Sequence, residues 1–168
     1  MNIEKKETLH AGSSEVRRFL QFSLGTEEYA IPLLSVKEVI AYPDITRIPY
    51  TPPHFLGIMN LRGQVISIVD LRLKLGMKAE KNSDTAVIIC DLAPLCLGIV
   101  VNSVNSVLSL RQEDIGVKPE IECNRNSDYI TGVTKKDTKL VLLLDIEQAL
   151  DVKDHAALKQ AAQVQRAA

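Results

Sequence analysis

Gly57-Ile58-Met59-Asn60-Leu61-Arg62-Gly63-Gln64-Val65-Ile66-Ser67-Ile68-Val69-Asp70-Leu71-Arg72 is the stretch that decides the fold. An apolar approach enters a turn built on Asn60 and Gly63 and continues into a second apolar run. Val65, Ile66, Ile68 and Val69 are β-branched, which favours a pleated, packed backbone over a helix. Asp70 ends that run, and residues 71–75 read as a short helical turn or edge segment stopped by Gly76. Arg62 sits beside a glycine on a turn between two apolar segments, where a guanidinium points at solvent or at a partner. An arbitrary turn arginine is merely solvated in most proteins. The remainder of the chain argues for more.

The same pattern occurs twice. Gly98-Ile99-Val100-Val101-Asn102-Ser103-Val104 falls on Ala30-Ile31-Pro32-Leu33-Leu34-Ser35-Val36 at one offset, and Val107 falls on Val39 at that offset. Ala86-Val87-Ile88-Ile89-Cys90 matches the strand that begins at Phe19. Gly132-Val133 matches Gly57-Ile58, and Leu142-Leu143-Leu144-Asp145-Ile146 matches Ser67-Ile68-Val69-Asp70-Leu71. A period of this size marks repeated supersecondary units. Two copies of about five short strands, punctuated by Gly and Pro, predict an all-β pair of small barrels. Neither copy alone buries much surface, so the two should pack together and leave a cleft at their junction.

Outward from these copies, residues 1–16 are polar and read as a disordered tail. Residues 17–150 form the folded part, with sequence halves at about 17–76 and 84–150, and residues 151–168 read as a C-terminal helix. Phe19-Leu20-Gln21-Phe22-Ser23-Leu24 and Tyr29-Ala30-Ile31-Pro32-Leu33 predict a hairpin. Pro32 places the second strand at an edge or a bulge. Ser35 is a candidate cap for a short helical segment, Val36-Lys37-Glu38-Val39-Ile40. Pro43, Pro49, Pro52 and Pro53 make an extended connection. Only the loop through Arg111 to Asp128 is longer in the second copy.

The 168 residues are 46% hydrophobic and 24% charged with a net charge of −1, a soluble globular composition without the basic balance of a nucleic-acid binder. Tryptophan is absent, which removes stacking platforms for single strands. No apolar run spans a bilayer and the N-terminus has no apolar signal core, so the expected location is cytoplasmic. Cys90, Cys96 and Cys123 show no metal spacing and His10, His54 and His155 are scattered, so no metal or cofactor is expected. No phosphate-cradling loop or nucleophile elbow is present. A Cys96–His54 nucleophile fails because Cys96 lies in a hydrophobic run. Asp70 and Asp145, equivalent in the repeat, suit an acid/base pair on paper but read better as strand-end residues bonding nearby amides. No catalytic residue emerges, and the chain reads as an interaction module.

These segments resemble the CheW family of bacterial chemotaxis. The matching residues include 19–29, Val36-Lys37-Glu38-Val39, Thr46-Arg47-Ile48-Pro49, the Asn60-Leu61-Arg62-Gly63 turn and Ile68-Val69-Asp70-Leu71-Arg72. In the second half they include Gly98-Ile99-Val100-Val101, Val107-Leu108-Ser109-Leu110 and Tyr129-Ile130-Thr131-Gly132. The resemblance implies two SH3-like five-stranded β-barrels packed together, with strand exchange between the sequence halves left open. It implies a non-catalytic adaptor that couples the histidine kinase CheA, through a CheW-like regulatory domain, to the cytoplasmic tip of transmembrane methyl-accepting chemoreceptors in membrane-associated arrays. An adaptor of a pilus-motility or other chemosensory-like pathway is the alternative. By position, Val36, Glu38, Val39, Gly57 and Arg62 belong to partner-binding surfaces, and Glu120 and Ile121 to a second surface meeting the kinase. The family often has an aromatic where this chain has Ile121 and a basic residue where it has Gly116.

Overall fold

The computed structural model describes residues 15–117 and 128–166. Among these, the strands in chain order are β1 (Arg17–Leu24), β2 (Glu27–Pro32), β3 (Val36–Ala41), β4 (Phe55–Leu61), β5 (Gln64–Asp70), β6 (Ala86–Leu92), β7 (Leu95–Val101), β8 (Ser103–Leu110), β9 (Ile130–Lys136) and β10 (Lys139–Leu144). Short helices α1 (Leu71–Lys74) and α2 (Ile146–Ala149) follow β5 and β10, and α3 (Val152–Arg166) ends the described chain. The strands form two five-stranded sheets, β8-β1-β2-β10-β9 and β3-β6-β7-β5-β4. The predicted all-β, two-barrel class is the observed one.

The two copies are interleaved. One sheet joins β1 and β2 to β8, β9 and β10, and the other joins β6 and β7 to β3, β4 and β5. Each sheet therefore takes two strands from one copy and three from the other. The copies are joined by the parallel pairs β2–β10 and β5–β7 and by the antiparallel pairs β1–β8 and β3–β6, and the pairings within each copy are antiparallel. A parallel pair cannot be closed by a two-residue turn. The long crossovers it needs are supplied here by the other copy's strands. A cut near Gly76 passes through both barrels.

Three apolar clusters follow from this arrangement. Phe19, Ala30, Leu108, Val141 and Leu143 fill the first barrel. Met59, Ile66, Ile68, Val87, Ile89 and Val100 fill the second. The largest cluster lies between them and draws Phe22, Leu24, Ile31, Val69, Ile88, Ile99 and Leu144 from both sheets. Each such side chain contributes about 1.5–3 kcal/mol on burial, so the shared layer is what makes two small barrels one stable unit.

Two local expectations change. Val36–Ala41 is strand β3, not a capped helix, and the only helical turn there is the 3-10 segment Leu33–Ser35. Pairing with β6 decides it, since β-branched Val36, Val39 and Ile40 gain a ladder that a five-residue helix cannot offer. Strand β2 is central rather than at an edge. Pro32 is tolerated because it is the last residue of β2, beyond Ala30, the last partner of β10.

Candidate functional site

The β4–β5 hairpin closes on Arg62 and Gly63, both at positive φ, 51° and 84°. That pattern belongs to a two-residue turn matched to the twist of the strands. Arg62 thus occupies the left-handed region that side chains rarely adopt. The turn is held by Asn60, whose Oδ1 accepts the Gly63 amide at 2.8 Å. The result is a guanidinium lifted off the sheet with its side chain 73% exposed.

Arg62 then reaches across the barrel seam. β3 and β4 are the two edges of their sheet. From the β4–β5 turn, Arg62 donates from Nη1 to Glu38 Oε1 at 2.6 Å and from Nη2 to Oε2 at 3.0 Å. These bonds hold the Glu38 carboxyl below its usual range, and Glu38 in turn raises the guanidinium. A guanidinium has five N–H donors, so the paired Arg62 still presents donors outward. Glu38 and Arg62 are 24 residues apart in the chain. They form one bidentate unit with defined geometry.

A bulge arranges the residues around that unit. The β3–β6 register shifts between Val36 and Glu38. Val36 packs on the shared cluster and Ile40 on the second-barrel cluster, although four residues apart they would share a face in an unbroken strand. Val39, adjacent to Ile40, returns to the Val36 side and is 42% exposed. Val36 and Val39 therefore share one side of β3 and Glu38 lies on the other, through a bulged strand and not a helix. Gly57 differs from the others. It is buried, at φ 139°, and a Cβ there would lie 2.0 Å from the Thr46 carbonyl oxygen. It permits the Thr46–Ile58 bridge, with both N–O distances 2.8 Å, and offers a partner no side chain. Glu120 and Ile121 lie outside the described residues, as does Cys123.

The repeat builds the other barrel's seam with different chemistry. Ser106 stands where Glu38 does, and Asp137, at φ 56°, where Arg62 does. The closing contact there runs from Lys136 Nζ to Ser106 Oγ at 2.8 Å and to Gln21 Oε1 at 3.0 Å. Val107, equivalent to Val39, is also half exposed. Two exposed side chains escaped the sequence reading. Leu34 follows β2 without cover, and Tyr50 stands fully exposed at φ 62° in a turn where Thr51 Oγ1 donates to the Ile48 carbonyl at 3.0 Å. The Pro49-Tyr50 pair was the available signal, because proline favours the first central position of such a turn.

Asp70 and Asp145 are caps, as their strand-end positions predict. Asp70 accepts the Arg72 amide at 3.0 Å and Asp145 the Gln148 amide at 3.3 Å. Burial pushes the Cys90 thiol up to about 12. Among the described residues no group of three or more His, Cys, Asp or Glu is placed to hold a metal ion, and no helix is long and apolar enough to cross a membrane.

An interleaved pair of small barrels with an exposed bidentate ion pair across one seam defines a protein-interaction module. The CheW-like domain model matches residues 18–154, and the chain belongs to that family. It is 37% identical over 153 residues to chemotaxis protein CheW of Klebsiella aerogenes, covering 90% of this chain and 92% of that one. It is likewise 37% identical over 155 residues to chemotaxis protein CheW of Helicobacter pylori, covering 88% and 93%. The crystal structure of scaffolding protein TtCheW from Thermoanaerobacter tengcongensis superposes with a TM-score of 0.76 at 28% identity, covering 83% of this chain and 96% of that one.

Proposed function

We propose that this chain is a non-catalytic chemotaxis adaptor that couples the histidine kinase CheA to the cytoplasmic tip of transmembrane chemoreceptors, and that it works in the cytoplasm at membrane-associated receptor arrays. The names of its relatives, chemotaxis protein CheW and scaffolding protein TtCheW, support the reading. The observation that carries it is the Glu38–Arg62 pair, exposed where β3 meets the β4–β5 turn, with Val36 and Val39 on the same strand as Glu38. A receptor tip is helical, and an apolar stripe with a polar rim is what accepts one face of a helix. Val36 and Val39 supply the stripe, and Glu38 with Arg62 the rim. Glu120 and Ile121 serve a second contact, toward the regulatory domain of the kinase. The test is titration of the purified chain with a receptor-tip fragment and, separately, with the kinase regulatory domain. Binding to both, with Arg62→Ala and Val39→Asp weakening the receptor arm alone, is expected. Binding to neither partner rejects the reading.

A further inference from the structure

The connection between β3 and β4 encloses space. Pro43, Pro49, Pro52 and Pro53 fix its φ angles and remove amide donors, and its one bridge to a strand is Thr46–Ile58. Between this connection, the start of β4, Leu73 on α1 and Lys81 lies an open cavity of about 570 Å3, a volume within the range of small-ligand sites. Pro52, Phe55, Leu56 and Leu73 give it apolar walls, and Arg47, Lys81 and Asp44 are its charged groups. Two cations against one carboxylate leave a surplus of one positive charge.

Both cations stand on fixed backbone. Arg47 follows Thr46, whose amide and carbonyl each bond Ile58 at 2.8 Å, and its Cα lies 3.0 Å from where a Gly57 Cβ would be. The glycine therefore sets where the arginine side chain starts. Lys81 lies between Glu80, whose carbonyl accepts from the buried Arg72 guanidinium at 2.6 Å, and Asn82, whose amide donates to Thr85 Oγ1 at 2.9 Å. Its Nζ is 4.1 Å from the centre of the Tyr42 ring. Among the described residues no carboxylate comes within ion-pair distance of Arg47 or Lys81. The repeat builds a counterpart of about 290 Å3 in the first barrel, where Gln112 and Thr131 stand at the positions of Asp44 and Leu56. There Asp145 and Glu147 outnumber Arg17, so the same hollow carries the opposite sign. The hollow follows from the fold; the positive charge belongs to the second barrel.

We propose that the cavity at the β3–β4 connection binds a small organic acid, one carboxylate on an apolar body. The planar fork of Arg47 takes the carboxylate in two parallel bonds, and Lys81 adds a point charge. Pro52, Phe55, Leu56 and Leu73 take the body. The single surplus charge selects a monoanion, because Asp44 repels a second carboxylate. The lining shares no side chain with Val36, Glu38, Val39 or Arg62, so the site is independent of the receptor and kinase contacts proposed above.

The probe is 3-phenylpropanoate, titrated into the full chain and followed by amide chemical shifts, with 3-phenylpropanamide as its uncharged counterpart. The acid should shift amides within residues 44–56 and at Lys81 to saturation, and should bind about tenfold more tightly than the amide. Equal binding of the two, or no saturable shift with the acid, overturns the proposal. Arg47→Ala and Lys81→Ala should each weaken the acid about fivefold at an unchanged thermal midpoint, since both side chains are exposed. Wild-type affinity in both variants overturns the site. Asp44→Asn should tighten binding about twofold to threefold, a sign that a merely structural role would not give. Unchanged or weaker binding there overturns the charge assignment. Amides around Gln112 and Thr131 should stay still, and equal shifts in that counterpart cavity mean apolar adsorption and overturn a specific site. Tighter binding of acetyl-Leu-Glu-Leu-amide than of the free acid hands the cavity to a partner protein's acidic side chain and overturns the small-molecule assignment.

Discussion

Gly57 and Thr46 come so close that there is no room between them for a methyl group: a Cβ on Gly57 would lie 2.0 Å from the Thr46 oxygen and 2.7 Å from its carbonyl carbon. The two backbones bridge through Thr46 and Ile58. Replacing Gly57 by alanine adds left-handed strain and breaks the bridge, at a cost of about 3 kcal/mol or more. Urea denaturation checks this. A Gly57→Ala protein as stable as wild type would leave the position to partner contact alone.

Arg62 should behave in the opposite way. An exposed ion pair contributes little to folding, so Arg62→Ala should leave the thermal midpoint nearly unchanged while weakening receptor-tip binding. Arg62→Lys should recover only part of the affinity, because an ammonium cannot make the two parallel bonds to Glu38. Calorimetric titration with the three proteins distinguishes the outcomes.

The ion pair that does matter for folding is buried. Asp70 and Arg72 are each 2% exposed, bonded at 3.0 and 2.9 Å, and Arg72 also donates to the Glu80 carbonyl at 2.6 Å. Asp70→Asn leaves the guanidinium without its counter-charge and should cost about 3–5 kcal/mol. Chemical denaturation measures it; a loss under 1 kcal/mol would show that the site relaxes or admits water.

Acid should loosen the start of α3. The Asp154 amide, and after it Lys74, hold the Asp151 carboxyl down from 3.8 to about 2. A depressed folded value contributes stability that is present above the unfolded value and lost as pH falls through the folded one. The Asp151 contribution should therefore be intact above pH 4 and disappear between about 4 and 2. Stability differences between wild type and Asp151→Asn, followed over that range, should shrink toward zero. A difference that stays constant with pH excludes the carboxylate as the source.

The interleaved sheets predict one cooperative unit. A fragment ending at residue 83 keeps β1 and β2 but loses β8, β9 and β10 from the same sheet. It should stay unfolded alone, by circular dichroism and amide exchange, and gain structure only when mixed with a fragment of residues 84–168. Independent folding of either half would contradict the exchange.

Much of this was legible in the chain. The repeat is carried by spacing, and spacing survives folding: both copies place a strand, a left-handed turn residue, a second strand and a capping aspartate in the same succession, ending in α1 and α2. Asp70 and Asp145 cap as their strand-end positions suggest, since an aspartate bonds amides two or three residues on whatever surrounds it. Such features depend on neighbours in sequence.

What depended on distant neighbours was decided only by tertiary structure. Val36 to Ala41 became a strand because β6, from the other copy, supplied a ladder that local propensity does not contain. Pro32 could sit in a central strand because β10, one of its two neighbouring strands, stops pairing two residues earlier. Glu38 and Arg62, twenty-four residues apart, meet because curling of the sheet brings its two edges together. The chain by itself determined the elements and their order. Which copy each strand joined depended on burying a shared apolar layer, a property of the assembled sheets that no single segment encodes.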